Sequence, residues 1–504
     1  MDAAPTSPAS SIAARRVLPA RLWWSAAILV VAAMLQAVTW PSPDVAWLTS
    51  AAGRMLDGQR LYTDILETNP PMAVLLYLPW VAAAKLVGLA AWPAVIAATL
   101  ALATASTALT AHMLDRAPFA WWPVTLALLT VFPGGDFAQR EHFALIFILP
   151  ILAAVTRRAA GEAPSRAAAI VAGVLGGLAM AIKPHFALAL ALPSLYAAFR
   201  TRRIGTLFSL ENWIAGLTLI AFWGLIALAL PAYLTDILPR LALAYVPDGL
   251  DVITLARLAP LWMFWALAVL LPIYRREVVA TPLGVPWLLA ALGFLLTYFI
   301  QAKGFGNHAL PAVALLLQIF ALVFLARNAA DQPWRKALVP GLLVAILLLA
   351  PVFANLRPHA ERDALAAAVR PLGRNLSFIN LTPKLEVANP LALMTGDRFV
   401  GSDPFLWMAL GAINGEHHTT DPDRLAKLRA IEALELATLR ADLGKQPDFV
   451  LVGGDDFDWL GWARGDPQIA KQLGDYSVYA AVPYGPFTVT VLARTGLAAQ
   501  PAAV

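Results

Sequence analysis

The chain contains no cysteine among its 504 residues. Disulfides, thiolate metal sites and a cysteine nucleophile are therefore excluded, and the redox compartment is left open. Charge is scarce as well, with Asp, Glu, Lys and Arg making up 14% of the residues against 60% hydrophobic ones. No soluble domain of this size needs so much apolar surface, so the composition specifies a polytopic membrane protein in contact with a lipid bilayer. No Asp or Glu falls in the middle of any expected span. That argues against proton- or ion-coupled transport, which ordinarily places an acid near the membrane midplane. The apolar part also lacks internal repeats and low-complexity tracts. The net charge of +5 arises from short Lys and Arg clusters between apolar runs, where they set topology, and it gives no reason to expect a nucleic-acid partner.

What is present is a series of apolar runs. Residues 1–14 are rich in Ala, Ser and Pro and read as a disordered part of a cytoplasmic tail, residues 1–21. Arg15, Arg16 and Arg21 then precede the run Leu22–Trp40, which is long and lacks a small-residue cleavage site, so it reads as an uncleaved first span. Trp23, Trp24, Trp40, Trp80, Trp92, Trp121 and Trp122 near run ends suit interfacial belts. Further runs fall at 94–114, 118–133, 142–156, 166–182, 186–199, 211–232, 253–274, 282–300, 309–326 and 337–354, which brings the total to about eleven spans. Met72–Ala91 is also apolar enough to cross. Counted as a span, it would move Arg157, Arg158, Arg166, Arg200, Arg202, Arg203, Arg275 and Arg276 outside, against the positive-inside rule. Its Pro-Pro start and Lys85 in mid-segment suit an interfacial or re-entrant helix instead. The N-terminus then lies inside and the chain after Asn355 outside.

From Arg357 the character changes. Charges become frequent, and Asp421–Leu443 has an amphipathic helical pattern with Thr420 or Asp421 as N-cap and Pro422 at the first helical position. DFVLVGG (Asp448–Gly454), YSVYAAV (Tyr476–Val482) and PFTVTVLAR (Pro486–Arg494) read as strands. The glycines of Gly453–Asp456 lack phosphate-loop spacing, and Asp455, Asp456 and Asp458 do not match an EF-hand, so a surface turn is the reading. The expected architecture is an all-α polytopic membrane protein with a small C-terminal α/β extracytoplasmic domain. Its parts are the tail at 1–21, a transmembrane catalytic domain at 22–355 with outer-loop interface helices at 44–91, and a periplasmic domain at 356–504.

The outer faces collect the ionisable residues. The first loop, Pro41–Pro71, carries Asp44, Asp57, Asp64 and Glu67 beside Arg54 and Arg60. Val45, Leu48, Ala52 and Met55 recur at helical spacing and put Asp44 near the start of a short interface helix. Other outer segments are GGDFAQREH (Gly134–His142), KPH (Lys183–His185) and QAKGFGNH (Gln301–His308). An early Asp in a long first outer loop, then Thr68-Asn69-Pro70-Pro71, then a second acidic motif around Asp136 resembles the GT-C glycosyltransferases. The likeness is to the protein O-mannosyltransferase and lipid A aminoarabinose transferase group, family 39, and runs over about residues 20–330. It implies a polyprenyl-phosphate sugar donor, inversion at the sugar carbon, and Asp44 as catalytic carboxylate. Two departures are Val45 where the group often has Glu, and a second motif that offers both Asp136 and Glu141.

The chemistry asks for the same residue types. A sugar leaving a lipid phosphate needs no general acid, because the phosphate is already a stable anion. One base must take the acceptor's proton, and cations must meet the charge growing on the phosphate. Asp44 is the candidate base, with Asp136 and Glu141 as the other acids. Arg140, Lys183 and Lys303 are phosphate candidates, and His185 and His308 candidate hydrogen-bond donors. Each has a plainer reading: Lys183 snorkelling to headgroups, Lys303 an ordinary loop lysine, His308 a helix cap, Arg140 a local pair with Glu141, Glu67 a turn residue. No metal-ligand set is recognisable and no cofactor is required, although Asp44 and Asp136 could share a divalent Mg or Mn. The expectation is a bacterial inner-membrane hexosyl- or pentosyltransferase acting on a lipid, glycan or protein acceptor at the periplasmic face. The alternatives are a lipid-linked glycan flippase or transporter, and an O-antigen ligase or polymerase. A reporter fused after Arg203 should score cytoplasmic and one fused after Asn355 periplasmic; the reverse pair of results would refute the assigned topology.

Overall fold

The computed structural model describes residues 8–114, 121–247, 249–281, 283–328, 334–357, 359–454 and 457–497. The chain forms two compact units, one from residues 1–39, 93–223 and 250–356, the other from 40–92, 224–249 and 357–504. It is mostly helical with a small C-terminal sheet.

Among the described residues five helices are long and apolar enough to cross a membrane: Ala91–Met113, Arg140–Ala159, Leu210–Ala229, Gly284–Gln301 and Gly306–Leu325. In the first unit, the helix Arg140–Ala159 is buried from Arg140 through Thr156 and is about 30 Å long at 1.5 Å per residue. Small residues bring its neighbours close, as is common in membrane bundles. A Cβ on Gly176 of the helix Arg166–Ile182 would lie 2.7 Å from Ile151 Cδ1. A Cβ on Gly293 would lie 2.5 Å from Ala189 Cα, so the helices Gly284–Gln301 and Ala187–Thr201 touch backbone to backbone there. One end of the long central helix is tied by Arg158, whose Nε donates to the buried Glu211 at 2.9 Å, and by Arg157 Nη1, which donates to the Met113 carbonyl at 2.9 Å.

The structure departs from the sequence reading at several places. The expected disordered tail carries a helix from Pro8 to Ala37, because a Pro at the first position and the Ala-rich stretch after it favour one. The run 253–274 is not one span. It breaks into helices Val252–Arg257, Trp262–Ala268 and Leu271–Ala280, with Pro260 and Pro272 near the breaks. Between the runs 211–232 and 253–274 the chain winds into wide helical turns over Tyr233–Tyr245. The segment Met72–Ala91, expected as one interfacial or re-entrant helix, is divided into the short helices Met72–Leu75 and Leu78–Leu86, together less than the ~30 Å hydrocarbon core.

The second unit is built on a five-stranded sheet of β1 (Ser377–Leu381), β2 (Arg398–Phe399), β3 (Phe449–Val452), β4 (Tyr476–Tyr484) and β5 (Phe487–Arg494), in the order β2-β1-β3-β5-β4. β1 pairs in parallel with β2 and β3, while β5 runs antiparallel to both β3 and β4. The helix Pro422–Gly444 packs on it, capped by Asp421, whose side chain accepts from the Asp423 N–H. Residues 40–92 belong to this unit rather than to the helical one with which the expected boundaries grouped them. Trp47 meets Phe399 edge-on at 5.8 Å, Arg54 Nη1 donates to the Gly401 carbonyl at 2.7 Å, and the Leu66 N–H donates to the Ser402 carbonyl at 2.8 Å. Asp455 and Asp456 lie outside the described residues; Asp458 caps the helix Trp459–Arg464.

The close approach at Gly293 gives a direct check on the helical unit. Gly293→Ala should destabilise the purified protein by about 1–3 kcal/mol, whereas Gly216→Ala, where a Cβ meets nothing within 4 Å, should be neutral. Equal melting temperatures for the two variants in detergent would contradict the packing.

Candidate active site

Four helix ends of the first unit meet in a polar cluster. Glu141 lies in the first turn of Arg140–Ala159, Lys183 follows the last residue of Arg166–Ile182, Gln301 ends Gly284–Gln301, and Asn307 and His308 open Gly306–Asn328. Helix ends leave backbone groups unpaired, so polar side chains collect there while the helix middles stay apolar. Glu141 is fully buried, and Lys183 is only 8% exposed. The Lys183 ammonium donates to Glu141 Oε1 at 2.6 Å and to Gln301 Oε1, and lies 3.2 Å from His308 Nε2. Asn307 Nδ2 donates to the other Glu141 oxygen at 2.9 Å. Both carboxylate oxygens are thus engaged.

This replaces two of the plainer readings. Lys183 does not snorkel, since its ammonium turns inward to a buried acid 42 positions earlier. His308 joins that same cluster rather than serving only as a cap. Arg140 is buried and stands close enough to Glu141 to act on it electrostatically. His185 is partly buried in the turn between two helices, and its Nε2 has no hydrogen-bond partner among the described residues. Burial, and then the neighbouring Lys183 ammonium, push His185 down to about 4, so it is neutral at pH 7. Asp136 closes a single turn at Gly134–Asp136, and its Oδ2 lies 3.9 Å from where a Cβ on Gly306 would be. Lys303 occupies the turn between Ala302 and Gly304, both at positive φ, and is partly exposed.

The other candidate acid, Asp44, belongs to the second unit. It is the second residue of the helix Pro43–Leu56 and is partly buried, and Ser42 rather than Asp44 supplies the cap, accepting from the Val45 N–H at 3.4 Å. Glu67 proves to be more than a turn residue. It is 1% exposed and accepts from the Asn69 N–H at 2.7 Å, as the turn reading requires, but also from Asn69 Nδ2 and from Trp47 Nε1. Tyr62 donates to the Asn69 carbonyl at 2.6 Å and packs on Tyr233 with ring centres 5.0 Å apart. Burial, with Glu67 beyond it, pushes Tyr62 well above its ordinary value and Tyr233 up to about 12, so both hydroxyls remain donors.

Gln301 and Asn307 were not singled out from the sequence, although both lie in the Gln301–His308 motif. Amides carry no charge to draw attention, and only their places at adjoining helix ends mark them. Among the described residues no three His, Asp or Glu side chains group as a metal centre.

No protein-family model matches the chain, and no curated protein matches it. Among solved structures it is similar to the crystal structure of ArnT from Cupriavidus metallidurans bound to undecaprenyl phosphate. The TM-score is 0.57 at 14% identity, over 95% of this chain and 99% of that one. The likeness at this identity is one of fold, and the resemblance drawn from the two outer-loop motifs holds at that level.

A buried pair can be tested by breaking and then replacing it. Glu141→Gln and Lys183→Met should each lower stability by about 3–5 kcal/mol, because each strands the other's charge, while the double variant should recover most of the loss. Additive losses in a thermal-melt cycle would show that the two side chains are not coupled.

Proposed function

We propose that the protein is an integral membrane glycosyltransferase that moves one sugar from a polyprenyl phosphate to an acceptor at the periplasmic face, inverting the sugar carbon. The observation that carries this reading is an ammonium buried and aimed by Glu141, Gln301 and His308 at one end of a bundle with the fold of ArnT. Burial of that kind is costly unless the group has a task. Of these three partners Gln301 has some exposure, and a phosphate oxygen takes its place there. Arg140 and Lys303 add positive charge, and His185 and His308 donate hydrogen bonds.

In the reaction the acceptor hydroxyl gives its proton to the Asp44 carboxylate, and its oxygen attacks the sugar carbon from the face opposite the phosphate. The carbon–oxygen bond to the phosphate breaks, and its electron pair stays on the phosphate oxygen, where the cations receive it. No general acid enters, in contrast to glycoside hydrolysis. Glu141 acts as a positioning residue for Lys183, and Asp136 is the alternative catalytic acid. The cluster lies at the start of the Arg140–Ala159 helix, and Arg157 and Arg158 at its other end. The positive-inside rule places that second end in the cytoplasm and the cluster outside.

The test is Asp44→Asn. Because Ser42 is the cap, the helix start survives the change, and transfer from a radiolabelled polyprenyl-phosphate sugar should fall by about 10²-fold or more while donor binding persists. Near-normal transfer would move the base to Asp136, and near-normal transfer after neutralising Asp44, Asp136 and Glu141 in turn would remove the enzyme reading.

A further inference from the structure

The second unit encloses a polar cavity for which the transfer reaction has no use. Its volume is about 10 Å³, room for one water or one ion stripped of water. Four polar side chains matter in its lining: Asn380 from β1, Asp403 from the turn before Phe405, and Glu435 and Thr438 from the helix Pro422–Gly444. Asn380 is 4% exposed and Glu435 2%. Asn380 Nδ2 donates to the Pro404 carbonyl at 2.7 Å, which fixes the amide and leaves Oδ1 with no partner among the described residues. Glu435 Oε2 has none either. The carboxyls of Asp403 and Glu435 bond to each other. The buried Glu435, the half-buried Asp403, an amide oxygen unpartnered among the described residues and a hydroxyl therefore meet in one ion-sized space. The cations nearest to them do not line it: Arg240 acts on Glu435, while Lys445 holds Asp442 at 2.6 Å and Arg54 holds the Gly401 carbonyl.

We infer that this cavity is a calcium site, with Asp403, Glu435, Asn380 Oδ1 and the Thr438 hydroxyl as its side-chain ligands. Calcium takes about six to eight oxygens from carboxylates and amides, and the carboxylate, amide and hydroxyl oxygens here reach the lower end of that range. Magnesium keeps several of its waters, for which the cavity has no room. A third lining carboxylate, Asp442, is taken up by Lys445, and the two that remain match the charge of a divalent ion. The site would fasten the turn Gly401–Asp403, and that turn receives both Arg54 of the Asp44 helix and the Leu66 N–H of the loop carrying Glu67. Calcium would thus stiffen the support of Asp44 without touching it. The assignment rests on the second unit alone and stands whatever reaction the protein performs.

The experiment is thermal unfolding of the chelator-treated, full-length protein in detergent, titrated with calcium chloride at about pH 7.5 and about pH 5. The midpoint should rise saturably by several degrees at the higher pH, and the apparent affinity should fall about tenfold or more at the lower. Magnesium at the same concentrations should do much less. Glu435→Gln should remove the calcium shift, and Thr438→Val, which keeps the side-chain shape, should weaken it. A wild-type protein indifferent to calcium at the higher pH, or an undiminished shift in Glu435→Gln, overturns the site. A melt that depends on pH and not on calcium assigns the pair a shared proton only and overturns it equally. Should Glu435→Gln fail to fold, the wild-type comparison of calcium with magnesium and Thr438→Val decides, equal effects of the two ions counting against the site.

Discussion

An ammonium 8% exposed among apolar helices has to be neutralised where it lies, and the arrangement of the helical unit follows from that need. Lys183 ends one helix, Glu141 opens another, and their contact at 2.6 Å fixes how the two ends meet. Asn307 then engages the second Glu141 oxygen and so draws in the start of a third helix, while Gln301 brings the end of a fourth. The glycine contacts along Gly176 and Gly293 let the helix bodies approach closely enough for these ends to converge. A pair of this kind adds little to stability compared with an apolar replacement, so its retention is better explained by a task for the charge than by folding.

The second unit solves a related problem with acids. Glu67 is buried against Trp47 and Asn69, and Glu435 is buried beside Asp403. The first is satisfied by donors from its own neighbourhood. The second retains an oxygen with no partner among the described residues, over an ion-sized cavity. Both support the segment that carries Asp44, one through Trp47 on the same helix and the other through the turn at Gly401–Asp403.

How much was legible from sequence varied with the physics of each part. β3, β4 and β5 were readable because strand-forming runs end at glycines or turns, and the capped helix Pro422–Gly444 because Asp421 and Pro422 mark its start. β1 and β2 were not: β2 is only two residues long, and Asn380 interrupts the apolar pattern of β1. The run 253–274 looked continuous by hydropathy, and hydropathy does not register what Pro260 and Pro272 do to a helix. In the candidate site, charge drew attention to Glu141, Lys183 and His308, yet nothing in their spacing says that they touch, since Lys183 and His308 stand 125 positions apart. The amides Gln301 and Asn307, which complete the cluster, gave no signal of their own.

The central claim is that the Lys183 ammonium is the seat of a lipid phosphate. Native mass spectrometry of the protein with undecaprenyl phosphate addresses it without need of the right sugar or acceptor. The wild-type protein should retain one lipid per chain, and the double variant Glu141→Gln with Lys183→Met, if its melt matches the wild type, should lose it. Equal retention by the two proteins would contradict the claim.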